Sequence, residues 1–259
     1  MIASQNIFNI NQCKIHRDRA ATKPQHGIYK YVSADLNERL LLCKLPSQVK
    51  MLEFGGRDNG ISSSIHLELM IHADISTKML QRFENKKVVQ CNENSLPFDQ
   101  RVFDVVVSNL HMHWSNDIPL VLQDFHRVLK DQGVFLVSMF GGKSLKDLRD
   151  VFLEVEIKDN DIKYHVSPMV KLDSLSLLMQ KVGFRDVIVD SYALSLEFSN
   201  FEVMLKGLRD MGESNCLAQK VSYLRRDTLQ KVKELYSKKC AKNRALCLEV
   251  EVLNAIGYK

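Results

Sequence analysis

An acid, two glycines and, about twenty residues later, a second acid are the residues here whose types and spacing suit chemistry. The first group lies in MLEFGGRDNGISSSI (51–65), where Glu53, Gly55 and Gly56 follow an apolar run; the second acid, Asp74, ends LMIHAD. Glycines behind a strand let backbone amides approach a ligand at a helix start, and a carboxylate ending the next strand can accept both hydroxyls of a ribose. The chemistry indicated is the holding of a nucleoside cofactor. GGRDNG is neither G-x-G-x-x-G nor a GK[ST] loop, so phosphate binding is disfavoured and a cofactor without phosphates is indicated. The competing reading of Asp74 is a neighbour of the Ser cap in ADIS. A third polar stretch, NENSLPFDQRVFDVVVSN (92–109), leads from a turn through Leu-Pro-Phe into a β-branched run.

Such residues need a sheet to hold them at one edge. VKMLEF (49–54), LMIHAD (69–74), KVVQC (87–91), FDVVVSN (103–109) and VFLVSMF (134–140) read as strands. Helices are expected over 60–69, over 76–84 behind a Ser76 cap and over 117–130, with a turn at Asp131-Gln132-Gly133. Strand and helix alternating at this spacing imply βαβ units, a parallel sheet and helices on both faces. Beyond Gly141-Gly142, helices are expected over 144–155, 171–181, 200–211 and most of 217–240. Strands are expected over 184–190 and 192–198, and 245–258 alternates like a strand.

The 259 residues are 45% hydrophobic and 26% charged, which suits one large globular domain or one domain with an insertion. No apolar run approaches a membrane span and the opening residues lack a secretory apolar region, so a cytoplasmic protein is expected. Six scattered cysteines without a CxxC pair read as free thiols, and no metal site is expected. His111-x-His113 is the nearest approach to a ligand pair and reads as loop polarity. The net charge of +5 is uneven: residues 220–244 hold 9 Lys and Arg against 2 acids, and residues 1–50 hold 8 against 3. Basic flanks suit an acidic protein partner or a substrate carried on one. No nucleic-acid-binding motif is present. The plainer reading of 220–244 is the solvated face of a helix.

The order strand, acid-x-glycine loop, ADIS-x-x-ML, S-LPF, FDVVVSN, H-x-HW-NDIP, HRVLK-x-x-G resembles the class I S-adenosyl-L-methionine (SAM)-dependent methyltransferases. Within them it is similar to the branch of the biotin-synthesis BioC enzymes, which methylate the malonyl carboxylate on acyl carrier protein. KIHRDRAA (14–21), NLHMHWSND (109–117), SMFGGKSLKDLRDVF (138–152), MGESNC (211–216) and IGYK (256–259) bring it closer to the family of the complex I assembly arginine hydroxylase and its bacterial relatives. The resemblance implies a Rossmann-like α/β fold of seven strands with helices on both faces and a helical cap insertion. The last strand would be antiparallel, between the fifth and sixth. The implied division is an N-terminal helical segment (1–46), a SAM-binding core (47–140), a cap with late strands (141–240) and a final strand (241–259).

The resemblance also implies roles. Glu53 would orient the loop and reach the methionine amino group beside Gly55 and Gly56, with Arg57 and Asn59 standing where glycines are usual. Asp74 would hold the ribose and Ile75 pack on the adenine. Asn92, Glu93 or Asn94 would sit near the adenine amine, with Glu93 preferred. Asn109, Leu110 and His113 would face the sulfonium, His113 and Asn109 as positioning residues, and Tyr31 would close the site. His111 and His113 as loop polars, Trp114 as a core anchor, and Met139 and Phe140 as sheet packing are the plainer readings. A carboxylate acceptor is already ionised and needs no base, which fits the lack of an obvious catalytic dyad; an amine or hydroxyl would want one. The expected activity is therefore carboxyl methylation of malonyl-acyl carrier protein in biotin synthesis. Protein-arginine hydroxylation in complex I assembly and a non-catalytic SAM-binding scaffold are the alternatives.

Overall fold

The computed structural model describes residues 6–57, 61, 65–84, 86–159, 162–219, 224–242 and 245–259. The parallel core is β1 (Val49–Phe54), β2 (Leu67–Asp74), β3 (Lys87–Gln90), β4 (Phe103–Asn109) and β5 (Leu129–Phe140). Two long strands follow, β6 (Arg185–Phe198) and β8 (Ala245–Tyr258), with β7 (Ala241–Lys242) a two-residue pair on β8. The order across the sheet is β3-β2-β1-β4-β5-β8-β6, and β8 is antiparallel to both β5 and β6. This is the expected seven-stranded order, last strand between fifth and sixth. Order reverses between β1 and β4, so the carboxyl ends of those strands open the crevice where ligands of such sheets bind.

Alternation along each strand splits the core in two. Met51, Val105, Val107 and Leu136 face one way, into a cluster with α2 (Gly27–Leu41), α5 (Lys146–Asp159), α7 (Phe201–Met211) and α8 (Arg226–Cys240). Leu52, Phe54, Val106, Phe135 and Val137 face the other, against α4 (Ile118–Val128) and α6 (Leu172–Val182). A short α3 (Thr77–Leu80) follows β2, and α1 (Ile10–Ala20) precedes α2. α4 starts cleanly because the Asp117 side chain accepts from the Leu120 amide at 3.0 Å and Pro119 sits in the first turn. Phe125 on that helix is fully buried, its ring centroid 6.0 Å from Phe54 and 5.4 Å from Phe135. Phe125→Ala is expected to cost about 3–5 kcal/mol, read as a lower urea midpoint at unchanged slope.

Several expected elements differ. Residues 67–69 are strand, not helix, because Leu67 and Leu69 pair with Val49 and Lys50 of β1; positions 60 and 62–64 of the expected helix lie outside the described residues. The helix behind Ser76 stops at Leu80, and the chain turns so that the Phe83 ring stacks on His72 at 4.0 Å. Asp131-Gln132-Gly133 is no separate turn. It is a bulge within β5 where Gln132 takes φ +63 and its amide reaches the Lys259 carbonyl at 3.0 Å. The strands expected at 184–190 and 192–198 are one, because β8 pairs along both. Residues 217–219 are not helical: the Ala218 amide donates to Ile7 at 2.8 Å and Leu217 bridges to Phe8. Among the described residues no helix is long and apolar enough to cross a membrane.

Candidate functional site

Gly55, the first loop residue after β1, takes φ +75, and its amide donates to the Ala73 carbonyl at 2.9 Å, tying the loop to the end of β2. A Cβ on Gly55 would meet His111 at 2.4 Å, and one on Gly56 would meet the Glu53 carboxyl at 2.4 Å. Position 55, with its positive φ and the His111 Cβ against it, requires glycine; at Gly56 a side chain would displace the Glu53 carboxyl. Glu53 is fully buried; its Oε2 pairs with His72 Nδ1 at 2.8 Å, and among the described residues its Oε1 has no partner.

Asp74 is buried at the end of β2, as expected, but its carboxylate is already engaged. Arg17 of α1 donates Nε to Oδ1 at 3.0 Å and Nη2 to Oδ2, and reaches the Gly55 carbonyl at 3.1 Å. Oδ1 also accepts from the Ser76 amide at 2.8 Å. A carboxylate has about four lone-pair sites, so a single site, on Oδ2, stays open. With α1 docked, Asp74 has room among the described residues for one of the two ribose hydroxyls expected of it. Burial alone would lower the Arg17 pKa, but the pair with Asp74 outweighs it and raises it.

After β4 the chain kinks at Leu110, φ +46, into one 3-10 turn, Met112–Trp114. Asn109 donates to the Ser33 hydroxyl of α2 at 2.8 Å, and among the described residues its Oδ1 has no partner. His111 and His113 are not loop polars on the surface. Both are buried and each meets a carboxylate: His111 Nε2 to Glu93 at 3.0 Å, His113 Nε2 to Glu213 at 2.9 Å. The Nδ1 of each ring is buried without a partner among the described residues. Glu213, from the turn after α7, also accepts from the Tyr29 hydroxyl at 2.7 Å and Trp114 Nε1 at 3.2 Å. Burial would raise the Glu213 pKa, but His113, Arg57 and the Tyr29 hydroxyl outweigh it and hold it at about 2. Burial pushes His113 below the usual 6.5, keeping the ring neutral. An ionised Glu213 accepts, so His113 Nε2 carries the proton and Nδ1 is a free base. The sequence did not reveal this imidazole–carboxylate pair, whose members lie 100 residues apart.

Glu53, Gly55, Gly56, Asp74, Asn109, Leu110 and His113 thus gather at the carboxyl ends of β1, β2 and β4. Ile75 is buried beside them; Glu93 is buried but bonded to His111, and Asn92 is half-buried. Tyr31 does not close the site: it is 55% exposed, edge-on to Tyr192. Tyr29, two residues earlier on the opposite face of α2, is the ring inside. Arg17, Tyr29 and Glu213 were missed as site residues. Arg17 and Glu213 lie in the two segments, KIHRDRAA and MGESNC, that the resemblance had already marked. The basic helix is compensated at home: Lys231 pairs with Asp159, Lys239 with Glu154 and Lys233 with Glu202.

Glu53 Oε1, Asn109 Oδ1 and His113 Nδ1 are buried acceptors, and Arg57 Nε is a buried donor, without partners among the described residues; with a glycine cradle between, they suit a polar ligand whose head group carries both donors and acceptors. SAM has such a group and fits these residues, with one acceptor site of Asp74 open to it. Residues 56–137 match the family model described as a methyltransferase domain. The arginine hydroxylase NDUFAF5, mitochondrial, of Danio rerio is 31% identical over 98% of this chain and 83% of its own. A malonyl-[acyl-carrier protein] O-methyltransferase of Coxiella burnetii is 30% identical over 57% of this chain and 49% of its own. Among solved structures, phosphoethanolamine N-methyltransferase 2 of Haemonchus contortus, in complex with SAM, superposes with TM-score 0.52 at 17% identity, covering 87% of this chain and 52% of that one.

Proposed function

The chain belongs to the class I SAM-dependent methyltransferases, in the family of the arginine hydroxylase NDUFAF5, and on that premise we propose that it modifies an arginine side chain presented by a partner protein. It is a SAM-dependent methyltransferase in domain and fold, and SAM is its cofactor. Bound SAM supplies an electrophilic methyl group. One observation carries the choice of acceptor: the buried His113–Glu213 dyad with a free Nδ1. A guanidinium nitrogen becomes nucleophilic only after losing a proton, and a neutral imidazole is placed to take one. A carboxylate acceptor needs no such base. Glu213 fixes the tautomer, and the buried walls of Tyr29 and Trp114 exclude water.

Methyl transfer from SAM to that nitrogen, in the cytoplasm, is the reaction this base serves. Hydroxylation of an arginine in a subunit of respiratory complex I, which whole-chain likeness to the hydroxylases supports, is the oxidative variant of the arginine reading and would draw its oxygen from dioxygen with an external reductant. Carboxyl methylation of malonyl-acyl carrier protein in biotin synthesis is the second reading, supported by the likeness to the Coxiella burnetii enzyme. Mass spectrometry separates them. Arginine-containing peptides of complex I subunits, incubated with dioxygen and a reductant, should gain one oxygen under the hydroxylation variant only when the intact protein is present. A gain of one methylene on arginine would assign methyl transfer to the same base. Label passing from SAM to malonyl-acyl carrier protein, with arginines unchanged, would overturn the arginine reading. No transfer in either assay would leave a SAM-binding scaffold.

A further inference from the structure

Four residues before His113, at the end of β4, Asn109 is buried, and among the described residues its Oδ1 has no partner. One contact sets the way this amide is turned: its Nδ2 donates to the Ser33 hydroxyl of α2 at 2.8 Å. The neighbouring hydroxyl of Ser138, in register with Asn109 on β5, donates to Asn254 and leaves Oδ1 open. Tyr29, one helical turn before Ser33, holds Glu213, which in turn holds His113. One stripe of α2 thus lies over two buried acceptors, His113 Nδ1 and Asn109 Oδ1, each left open by the contact that fixes its other end. A pair of acceptors suits a ligand that brings donors. A guanidinium has five N–H donors in a planar fork and no acceptor, whereas a carboxylate has acceptors alone and would oppose both atoms.

We propose that Ser33 is a positioning residue that selects the substrate: by holding the Asn109 amide nitrogen, it presents Oδ1 to a second N–H of the guanidinium whose first nitrogen faces His113. The inference rests on the arginine reading above and deepens it, from a base that takes a proton to a pair of acceptors that recognises the group. His113 takes the proton from one nitrogen while Asn109 holds the neighbouring nitrogen in place. Ser33 acts only through Asn109. Without its hydroxyl the amide is free to turn over and offer its N–H groups, which suit a carboxylate or a carbonyl instead. A carboxylate in place of the amide accepts at both ends and has no need of the hydroxyl.

The test is calorimetric titration of the protein saturated with S-adenosylhomocysteine, so that no turnover occurs. The probes are N-acetyl-argininamide and N-acetyl-citrullinamide, in which a carbonyl oxygen replaces one guanidinium nitrogen. Wild type is expected to bind the arginine probe about 10–100-fold more tightly, as for hydrogen bonds to a charged group. Ser33→Ala should weaken the arginine probe by about 2–10-fold and narrow that preference, and Ser33→Thr, which keeps the hydroxyl, should restore both. In an Asn109→Asp background, Ser33→Ala should change affinity by no more than about twofold, because the cycle removes what the hydroxyl positions. Unchanged arginine affinity in Ser33→Ala, or the same loss in both backgrounds, overturns the proposal and leaves the arginine reading standing. If Asn109→Asp does not fold, the comparison of Ser33→Ala with Ser33→Thr decides: an equal loss in both overturns the proposal. A wild type that binds the two probes alike, or neither, overturns the proposal together with the arginine reading.

Discussion

His113→Gln is expected to lower turnover by about 10²–10⁴-fold, the range for loss of a positioned general base. The readout is modified arginine per unit time by mass spectrometry, with SAM binding followed separately by calorimetry. The ring sits beside Trp114 and Phe140, at centroid distances of 5.0 and 4.9 Å, and Gln fills much of that space. Glu213→Gln should act in the same direction, because a neutral amide no longer dictates which imidazole nitrogen holds the proton. If the acceptor were a carboxylate, His113→Gln would leave turnover within a few-fold, so this variant also tests the choice of substrate. The pH dependence has a definite sign. Burial lowers the His113 pKa, so the base form persists below 6.5 and the acid limb of the rate profile should lie beneath that value. Glu213 has a folded pKa of about 2 against an ordinary 4.5. Its contribution to stability is therefore complete above 4.5 and is lost as pH falls from there through about 2.

Asp74→Ala is expected to cost about 3–5 kcal/mol of stability, because it strands Arg17 as a buried cation without its partner. A ribose ligand alone would predict no such effect in the free protein. Urea unfolding without ligand reads the difference directly. The double variant Arg17→Met with Asp74→Leu should recover most of the loss, since a buried pair replaced by apolar residues of similar volume is often neutral. SAM binding to Asp74→Ala should weaken by about 1.5–3 kcal/mol if the open site on Oδ2 takes a ribose hydroxyl. Stability within 1 kcal/mol of wild type in the single variant (~1 kcal/mol, a typical point change) would show that Arg17 leaves Asp74 readily, and that α1 swings away from the site at little cost.

The sequence by itself determined the sheet and the positions at its edge. β-branched runs such as FDVVVSN specify buried parallel strands locally, and the strand ends then fall at Phe54, just past Glu53, and at Asp74 and Asn109 whatever packs above them. Alternation in 245–258 likewise announced a strand, and the resemblance placed it between the fifth and sixth. What only the tertiary structure decided is what those strand ends touch. Arg17 meets Asp74 across 57 residues and His113 meets Glu213 across 100, and no local spacing encodes either contact. Tyr29 rather than Tyr31 enters the site because of the rotation of α2 about its axis, which its packing on the sheet fixes. Short-range signals failed in the same way at 217–219 and at 67–69, where helical spacing gave way to backbone pairing with distant partners. Residue type and period set what each segment can become; the charge state, tautomer and open valences of a buried site are set by neighbours that only folding supplies.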